Sequence, residues 1–456
     1  GGNMADTIAA IATAPAVAAI AIIRLSGDQS VAIANHVFRS KQNLSDHPRE
    51  MLYGNFINRE KSLLDHGLAV YMKAPNSYTG EDTVEFYCHG SLIVQRELLA
   101  TIYSAGARPA EPGEFTQRAF LNGKMDLVQA EAVIDLIDAE TVDCAKNAAA
   151  QMEGRMGSGI TSIRDQLLDI IASFYAYVDY PDEEIDEPTL LQTLKALTEI
   201  RDFLDQMISS FDQGQIMKNG VQCALIGRPN AGKSSVLNTL LGFERSIVSD
   251  IPGTTRDTIE EKVRIGNVIL NLIDTAGLRQ SEDEIEKIGI ARATKAAESA
   301  ELILAVFDGT VPLESADEEV LAIAQNRNAI ALINKNDLSL CIDIEKIRGT
   351  FGSRVCIISA QKKEGFDELR RQIAEMFDMI ALPCDGRTVT NARHAAALEK
   401  AQDHVLQALS ILQEGFTPDI ATSDLELAVD ALGEITGQTA SEQVLTRIFE
   451  RFCVGK

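Results

Sequence analysis

Apolar positions along this chain change their rhythm three times. Up to about residue 120 they come as short runs, "VAAIAIIRL", "GLAVYM" and "TVEFYCHG", separated by helical stretches and by turn dipeptides such as Asn76-Ser77 and Pro112-Gly113. This predicts an α/β domain over residues 4–120. From about 121 the rhythm is helical: Leu167, Ile170, Ile171 and Phe174 fall at i, i+3, i+4 and i+7, and Leu197, Ile200, Leu204 and Ile208 keep a similar stripe. The tract "YPDEEIDEP" interrupts these helices as a solvated acidic turn with a proline stop. Around Gly220 apolar strands begin to alternate with helices, the pattern of a parallel α/β sheet, and this lasts to about 379. After Pro383 the chain is helical again. The simplest arrangement is one all-α domain in two parts, 121–215 and 380–456, interrupted by an inserted α/β domain, 216–379, since domain termini often lie close enough to accept an insertion.

Composition agrees with several domains: 456 residues suggest about three at roughly 150 residues each. No apolar run has the length of a membrane span, and "AVAAIAII", followed directly by Arg24, reads as a strand rather than a signal segment. Gly1-Gly2-Asn3 before Met4 reads as an expression scar. Seven cysteines without a CxxC pair argue against a disulfide framework or a zinc site, so a cytoplasmic, reducing location is expected. The net charge of −25 excludes wholesale coating of nucleic acid; RNA would have to meet a local basic patch or a partner's surface.

The inserted domain carries the clearest chemistry. "CALIGRPNAGKSS" is a strand followed by Gly227-x-x-x-x-Gly232-Lys233-Ser234 and then a helix. In such a loop backbone N–H groups turn inward around phosphates, Lys233 supplies charge, Ser234 offers a hydroxyl to Mg²⁺, and the helix dipole adds its pull. Asn230, Ala231, Gly232 and Ser235 complete the expected phosphate contacts. In "LNLIDTAGL" Asp274 can hold Mg²⁺ through water and Gly277 can reach a γ-phosphate, with Thr275 and Ala276 between them. Between these motifs lies "SDIPGTTRD": Ser249, Asp250, Ile251, Pro252, Gly253, Thr254 and Thr255, with Thr255 the choice for the second Mg²⁺ hydroxyl. A segment of this kind is ordered by a γ-phosphate and released after hydrolysis. "IALINKND" ends in Asn334-Lys335-Asn336-Asp337. A carboxylate at Asp337 can accept two N–H bonds from guanine, a donor pair that adenine lacks. Ser359-Ala360, followed by Gln361, can present backbone N–H to the guanine carbonyl. These elements, in their order along the chain, predict a GTP-binding domain.

Hydrolysis needs an oriented water. Ras-like proteins place a glutamine just after the DTAG glycine; here the residue is Leu278, which cannot do this. Glu282, Asp283, Glu284 and Glu286 follow and are candidates. Arg256 or Arg279 is a conceivable arginine finger, or a plain loop charge. The amide carbonyl of Asn230 could instead hold a monovalent cation against the phosphates.

At this level of detail the chain resembles the MnmE (TrmE) family of bacterial tRNA-modification GTPases over nearly its whole length. The resemblance is carried by "GRPNAGKSS", "GTTRD", "DTAGLR", "NSYTGEDTVEF", "RPAEPGEFTQRAFLNGKMDLVQAEAV", "YPDEEID", "GEITG" and the tail "FCVGK". It implies a folate-binding-like N-terminal domain that dimerises, a helical domain and an inserted Ras-like G domain. It further implies modification of wobble uridine at carbon 5 with the flavoprotein MnmG, which brings FAD, and use of a formyl-tetrahydrofolate such as the 5-formyl form. The G domains would pair face to face with K⁺ in place of an arginine finger. Carried over by motif, K⁺ would be held by Asn230, Ser249, Ile251 and Thr254, water would be oriented by Glu286, and folate would meet Arg24, Glu85, Lys124 and Lys456. Read as bare residues, Arg24, Glu85 and Lys124 are equally a strand-end charge, a polar strand residue and a surface charge. Three positions depart from the family's usual pattern: alanines replace a glycine-rich run before Arg24, Ser249 replaces a threonine, and Gln361 replaces a basic residue.

Cys453 in "RFCVGK" has three readings. Prenylation fits poorly, because Gly455 is not aliphatic and Lys456 ends the chain. Packing with Ile448, Phe449 and Phe452 is open. The third is a working thiol on a short arm that passes a flexible Gly455, with Lys456 pairing folate or RNA. A competing reading of the whole chain is a K⁺-dependent switch GTPase for ribosome or RNP assembly, with the N-terminal domain as a platform.

Overall fold

The computed structural model describes residues 6–179, 187–243, 261–265, 268–273, 295–377 and 385–455. It divides into two compact units: residues 1–134, 151–200 and 400–456 form one, and 135–150 with 201–399 the other.

The first unit is built on a seven-stranded sheet. Its strands are β1 (Ile8–Ile11), β2 (Ala18–Ser26), β3 (Phe38–Ser40), β4 (Met51–Ile57), β5 (Leu63–Met72), β6 (Thr83–Gly90) and β7 (Arg108–Pro109), in the order β3-β4-β5-β6-β2-β1-β7. Most of the run "AVAAIAII" lies in β2, where its isoleucines suit a strand. Ala21, Ile23 and Leu25 join a buried core with Ile33, Leu98 and Ile102 from the helices Ser30–Val37 and Leu92–Ser104. Side chains alternate along a strand, so Arg24 falls on the sheet face away from those helices. β2 runs antiparallel to β6, and the register sets Arg24 opposite Glu85. In the same unit the long helix Arg155–Asp179 packs along Pro418–Thr436 and buries Leu167, Ile171 and Phe174, three of the four positions in the expected stripe. Ile170 is half-buried at the edge of that contact.

The second unit carries a six-stranded sheet of β8 (Val221–Ile226), β9 (Glu261–Ile265), β10 (Val268–Ile273), β11 (Leu302–Asp308), β12 (Ala329–Asn334) and β13 (Val355–Ile357), in the order β13-β12-β11-β8-β10-β9. Both faces are buried: Cys223, Leu225, Leu304 and Leu332 point into one core and Ala224, Ile226, Ile303 and Phe307 into the other. That is why its strands read as continuous apolar runs rather than alternating ones. One strand pair departs from the parallel pattern. β9 pairs antiparallel with β10. Only two residues separate these strands, far fewer than a parallel crossover needs.

Candidate functional site

The phosphate loop follows β8, and its helix spans Lys233–Phe243. Asn230 adopts φ +63°, a left-handed conformation that asparagine tolerates better than most residues. The Lys233 ammonium folds into the loop and donates to the Gly227 and Arg228 carbonyls at 2.7 and 2.8 Å. Burial lowers its pKa to about 8. An anionic phosphate in the loop would restore the charge that burial disfavours. Ser234 and Ser235 lie exposed in the helix's first turn, where the helix dipole favours an anion. A hydroxyl there is a donor suited to Mg²⁺.

The base end is tied to this loop by Asn334, which is 3% exposed. Its amide N–H donates to the Ala231 carbonyl at 3.1 Å, and its amide oxygen accepts from the Ala360 N–H at 3.1 Å. Thr239 holds the Ala360 carbonyl from below at 2.9 Å. Lys335, at φ +67°, pairs with Asp308 at 2.6 Å. Burial raises the Asp308 pKa, but bonds from Lys335 and Thr310 outweigh this and hold it low. Asp337 is aimed by the Ser359 hydroxyl, which donates to its Oδ1 at 2.6 Å and keeps the carboxyl ionised below its ordinary range. One carboxylate oxygen is thus fixed on the protein, leaving acceptor capacity for a base. Gln361 follows, exposed. Asn230–Ser235 and the Asn334–Asp337 and Ser359–Ala360 loops therefore gather at the carboxyl ends of parallel strands, where open α/β sheets bind their ligands. The Ser249–Thr255 segment, Asp274–Gly277, Glu286 and Lys456 lie outside the described residues, as do Arg256, Leu278 and Arg279.

A second constellation lies on the seven-stranded sheet. Arg24 Nε donates to Glu85 Oε1 at 2.8 Å, with side chains 17% and 12% exposed. The other Glu85 oxygen accepts from the Tyr87 hydroxyl at 2.9 Å. Burial and that bond push the Tyr87 pKa up to about 12. The Arg24 guanidinium lies 5.4 Å from the Tyr78 ring and 5.6 Å from the Phe115 ring, within cation–π range of both. Lys124 donates to the Pro75 carbonyl at 2.9 Å, and Asn122 to the Thr79 carbonyl at 2.8 Å, so this segment braces the loop that carries Tyr78. A charged pair lined by aromatic rings suits a ligand with both a flat ring system and charged groups. Tyr78, Phe115 and Tyr87 were not foreseen as site residues. Their signal was an aromatic within each of the phrases "NSYTGED", "EPGEF" and "TVEFY". Cys453 is exposed, while Phe449 and Phe452 beside it are buried, so the packing role falls to the aromatic residues.

A mixed, mainly parallel sheet with this loop, and with an Asn-Lys-x-Asp turn tied to it through Asn334, is the P-loop GTPase class. Residues 127–453 match the family described as the MnmE helical domain, and residues 7–124 the one described as GTP-binding protein TrmE N-terminus. The tRNA modification GTPase MnmE of Natranaerobius thermophilus is 40% identical over 455 residues, covering 99% of both chains. Those of Roseiflexus sp. and Clostridioides difficile are each 42% identical, again over 99% of both chains. The chain belongs to the MnmE family. It is a GTP-hydrolysing, tRNA-modifying enzyme with a TrmE-type N-terminal domain, an MnmE helical domain and a P-loop G domain. Among the described residues no helix is long and apolar enough to cross a membrane.

Proposed function

We propose that this enzyme couples GTP hydrolysis to installing a carboxymethylaminomethyl-type group at C5 of wobble uridine, in the cytoplasm, as a homodimer working with a flavoprotein of the MnmG type. A formyl-tetrahydrofolate supplies the one-carbon unit. Arg24, Glu85, Lys124 and Lys456 hold the folate, and Cys453 works close to it. The observation that carries this reading is the Arg24–Glu85 pair between the Tyr78 and Phe115 rings. On replacing Arg24 with alanine, formyl-folate affinity of the full chain should fall about tenfold or more, the scale of a lost charge-assisted contact. GTP hydrolysis should stay unchanged. Equal folate affinity in the variant, measured by calorimetry, removes Arg24 from the site.

In the G domain, guanine is read by Asn334, Lys335, Asp337, Ser359 and Ala360, with Gln361 alongside. Phosphates are held by Asn230–Ser235, the Ser249–Thr255 segment and Asp274–Gly277. Mg²⁺ would be held by the Ser234 and Thr255 hydroxyls and would neutralise phosphate charge; K⁺ would be held by Asn230, Ser249, Ile251 and Thr254 and would supply positive charge beside the phosphates when G domains pair. Glu286 orients the water that Leu278 cannot. Hydrolysis should then run about tenfold or more faster in KCl than in NaCl at equal ionic strength, because the positive charge that an arginine finger supplies elsewhere is worth at least that much. Equal rates would return the task to Arg256 or Arg279. Of the two readings of the whole chain, tRNA modification is the one that the names of its relatives support.

A further inference from the structure

The C-terminal arm is pinned at its backbone. The helix Glu442–Phe449 buries Ile448 and Phe449, and Phe452 follows them into a core with Leu127 and Val133. Beyond Phe452, Val454 pairs with Pro112 in an antiparallel bridge, and the Gly113 N–H donates to the Cys453 carbonyl at 3.5 Å. Gly455 corrects the expectation of a flexible joint. It is buried at φ +100°, and a Cβ on it would lie 2.2 Å from the Ile11 carbonyl oxygen. Gly113 mirrors it on the other side: at φ +69°, a Cβ there would lie 2.5 Å from the Phe449 carbonyl oxygen and 3.0 Å from the Phe452 Cβ. At Ile11 the arm itself leaves no room for a side chain; at Gly113 it is the helix end and Phe452, from which the arm departs, that leave none. Cys453 and Val454 stay exposed between them. Two residues past Gly113, the Phe115 ring faces the Arg24 guanidinium.

We propose that Gly113 and Gly455 are positioning residues for tRNA modification: together they seat the arm across Pro112–Gly113 and Ile11, and so fix Cys453 beside the segment that carries Phe115. The inference rests on the roles given above to Cys453 and to the Arg24 site. An L-residue at the Gly455 φ is disfavoured about tenfold before any clash is counted. The carbonyl contact adds to this, so Gly455→Ala unseats the arm. The core is spared, because Phe452 is its last buried aromatic residue.

The test supplies each purified full-length variant to an extract of cells that lack this protein, and reads modified nucleosides in tRNA. Gly455→Ala is expected to lower modification about tenfold, the cost of the unseated arm, with GTP turnover within about twofold of wild type; Gly113→Ala should lower modification at least as much, because its Cβ also presses on Phe449 and Phe452. Rescue separates positioning from general damage. Residues paired across antiparallel strands lie within disulfide reach, so Pro112→Cys with Val454→Cys should lock the arm in its seat. Oxidation should restore modification to the Gly455→Ala chain, and reductant should remove it again. Wild-type modification by Gly455→Ala overturns the proposal. So does a locked arm that blocks modification in the otherwise native chain, for then the arm must leave its seat to work. If Gly113→Ala fails to fold, Gly455→Ala carries the test alone. Should Cys453→Ser modify tRNA normally while Gly455→Ala does not, the seat stands and the thiol's role falls.

Discussion

Replacing Asp337 with asparagine is expected to cut GTP affinity about 100-fold and to make xanthosine triphosphate the better ligand, since two hydrogen bonds to a charged acceptor are lost or weakened. Guanine presents two adjacent N–H donors to the carboxylate. The amide meets them with one acceptor and one donor, so one guanine N–H faces another N–H. Xanthine carries a carbonyl in place of the exocyclic amine and matches the amide instead. The substitution preserves shape, and the Ser359 hydroxyl that now donates to Asp337 Oδ1 at 2.6 Å can still donate to an amide oxygen. Loss of affinity should therefore come from the base and not from a collapsed loop. Titration with fluorescent GDP and XDP separates the outcomes. A switch toward xanthine supports direct reading of the base. Loss of both nucleotides assigns Asp337 to holding the Ser359 loop. Unchanged guanine preference removes it from the site.

Much of the G domain was legible because its chemistry is local. The phosphate loop is a contiguous spacing between a strand and a helix, and Asp337 lies three residues from Asn334 at the end of β12. The helical stripe at Leu167, Ile171 and Phe174 was legible for the same reason: a period of 3.6 is visible within one window. The link between those G-domain pieces was not. Asn334 holds Ala231 and Ala360 through contacts that span 103 and 26 residues. The N-terminal site was legible only through resemblance. Arg24 and Glu85 are 61 residues apart, and only the register of β2 on β6 sets them opposite each other. A slip of one residue would put them on opposite faces of the sheet. Tyr78 and Phe115 arrive from two further segments, so no window of sequence contains the site. Gly455 was misread for a different reason. A glycine near a chain end suggests freedom, whereas its need here comes from Ile11, a carbonyl in another strand.

Arg118 is expected to hold that N-terminal site in shape, and Arg118→Met should destabilise the surrounding sheet by about 3–5 kcal/mol, the cost of breaking a buried ion-pair network from one side. Its side chain is 5% exposed and reaches three carboxylates: Asp6 at 2.9 Å, Glu81 at 3.0 Å and Glu114 at 3.2 Å. It also donates to the Asp6 carbonyl at 3.0 Å. Arg108 reaches Asp6 and Glu114 as well, so Glu81 loses most in the variant. Glu81 accepts from the Ser26 hydroxyl at 2.8 Å, and its carbonyl takes the Ser77 hydroxyl at 2.5 Å, so it anchors the loop that lays Tyr78 on Arg24. Formyl-folate binding should weaken with the loop, although among the described residues Arg118 makes its ion pairs with Asp6, Glu81 and Glu114 and not with the Arg24 site. The sign with pH follows from the two carboxyls whose pKa values are lowered. For Asp6 the Arg108 bond is the main cause; for Glu114 burial raises the pKa, but Arg108, the Glu111 N–H and Arg118 outweigh it. Groups depressed in this way stabilise the fold above their unfolded values and lose that contribution as pH falls through their folded values. Without Arg118 they are buried with less compensation, and taking up a proton relieves them. The deficit of Arg118→Met should thus be largest near neutral pH and shrink below about pH 5, where carboxylates begin to protonate. Hydrogen exchange of the β1 and β2 amides, at pH 7 and again near pH 4 with the intrinsic rates corrected, measures this locally and does not require the whole chain to unfold in one step. A deficit equal at both pH values would mean that Arg118 acts through packing alone. No faster exchange at either pH would mean that the network does not stabilise the sheet, and that Tyr78 is held against Arg24 by something else.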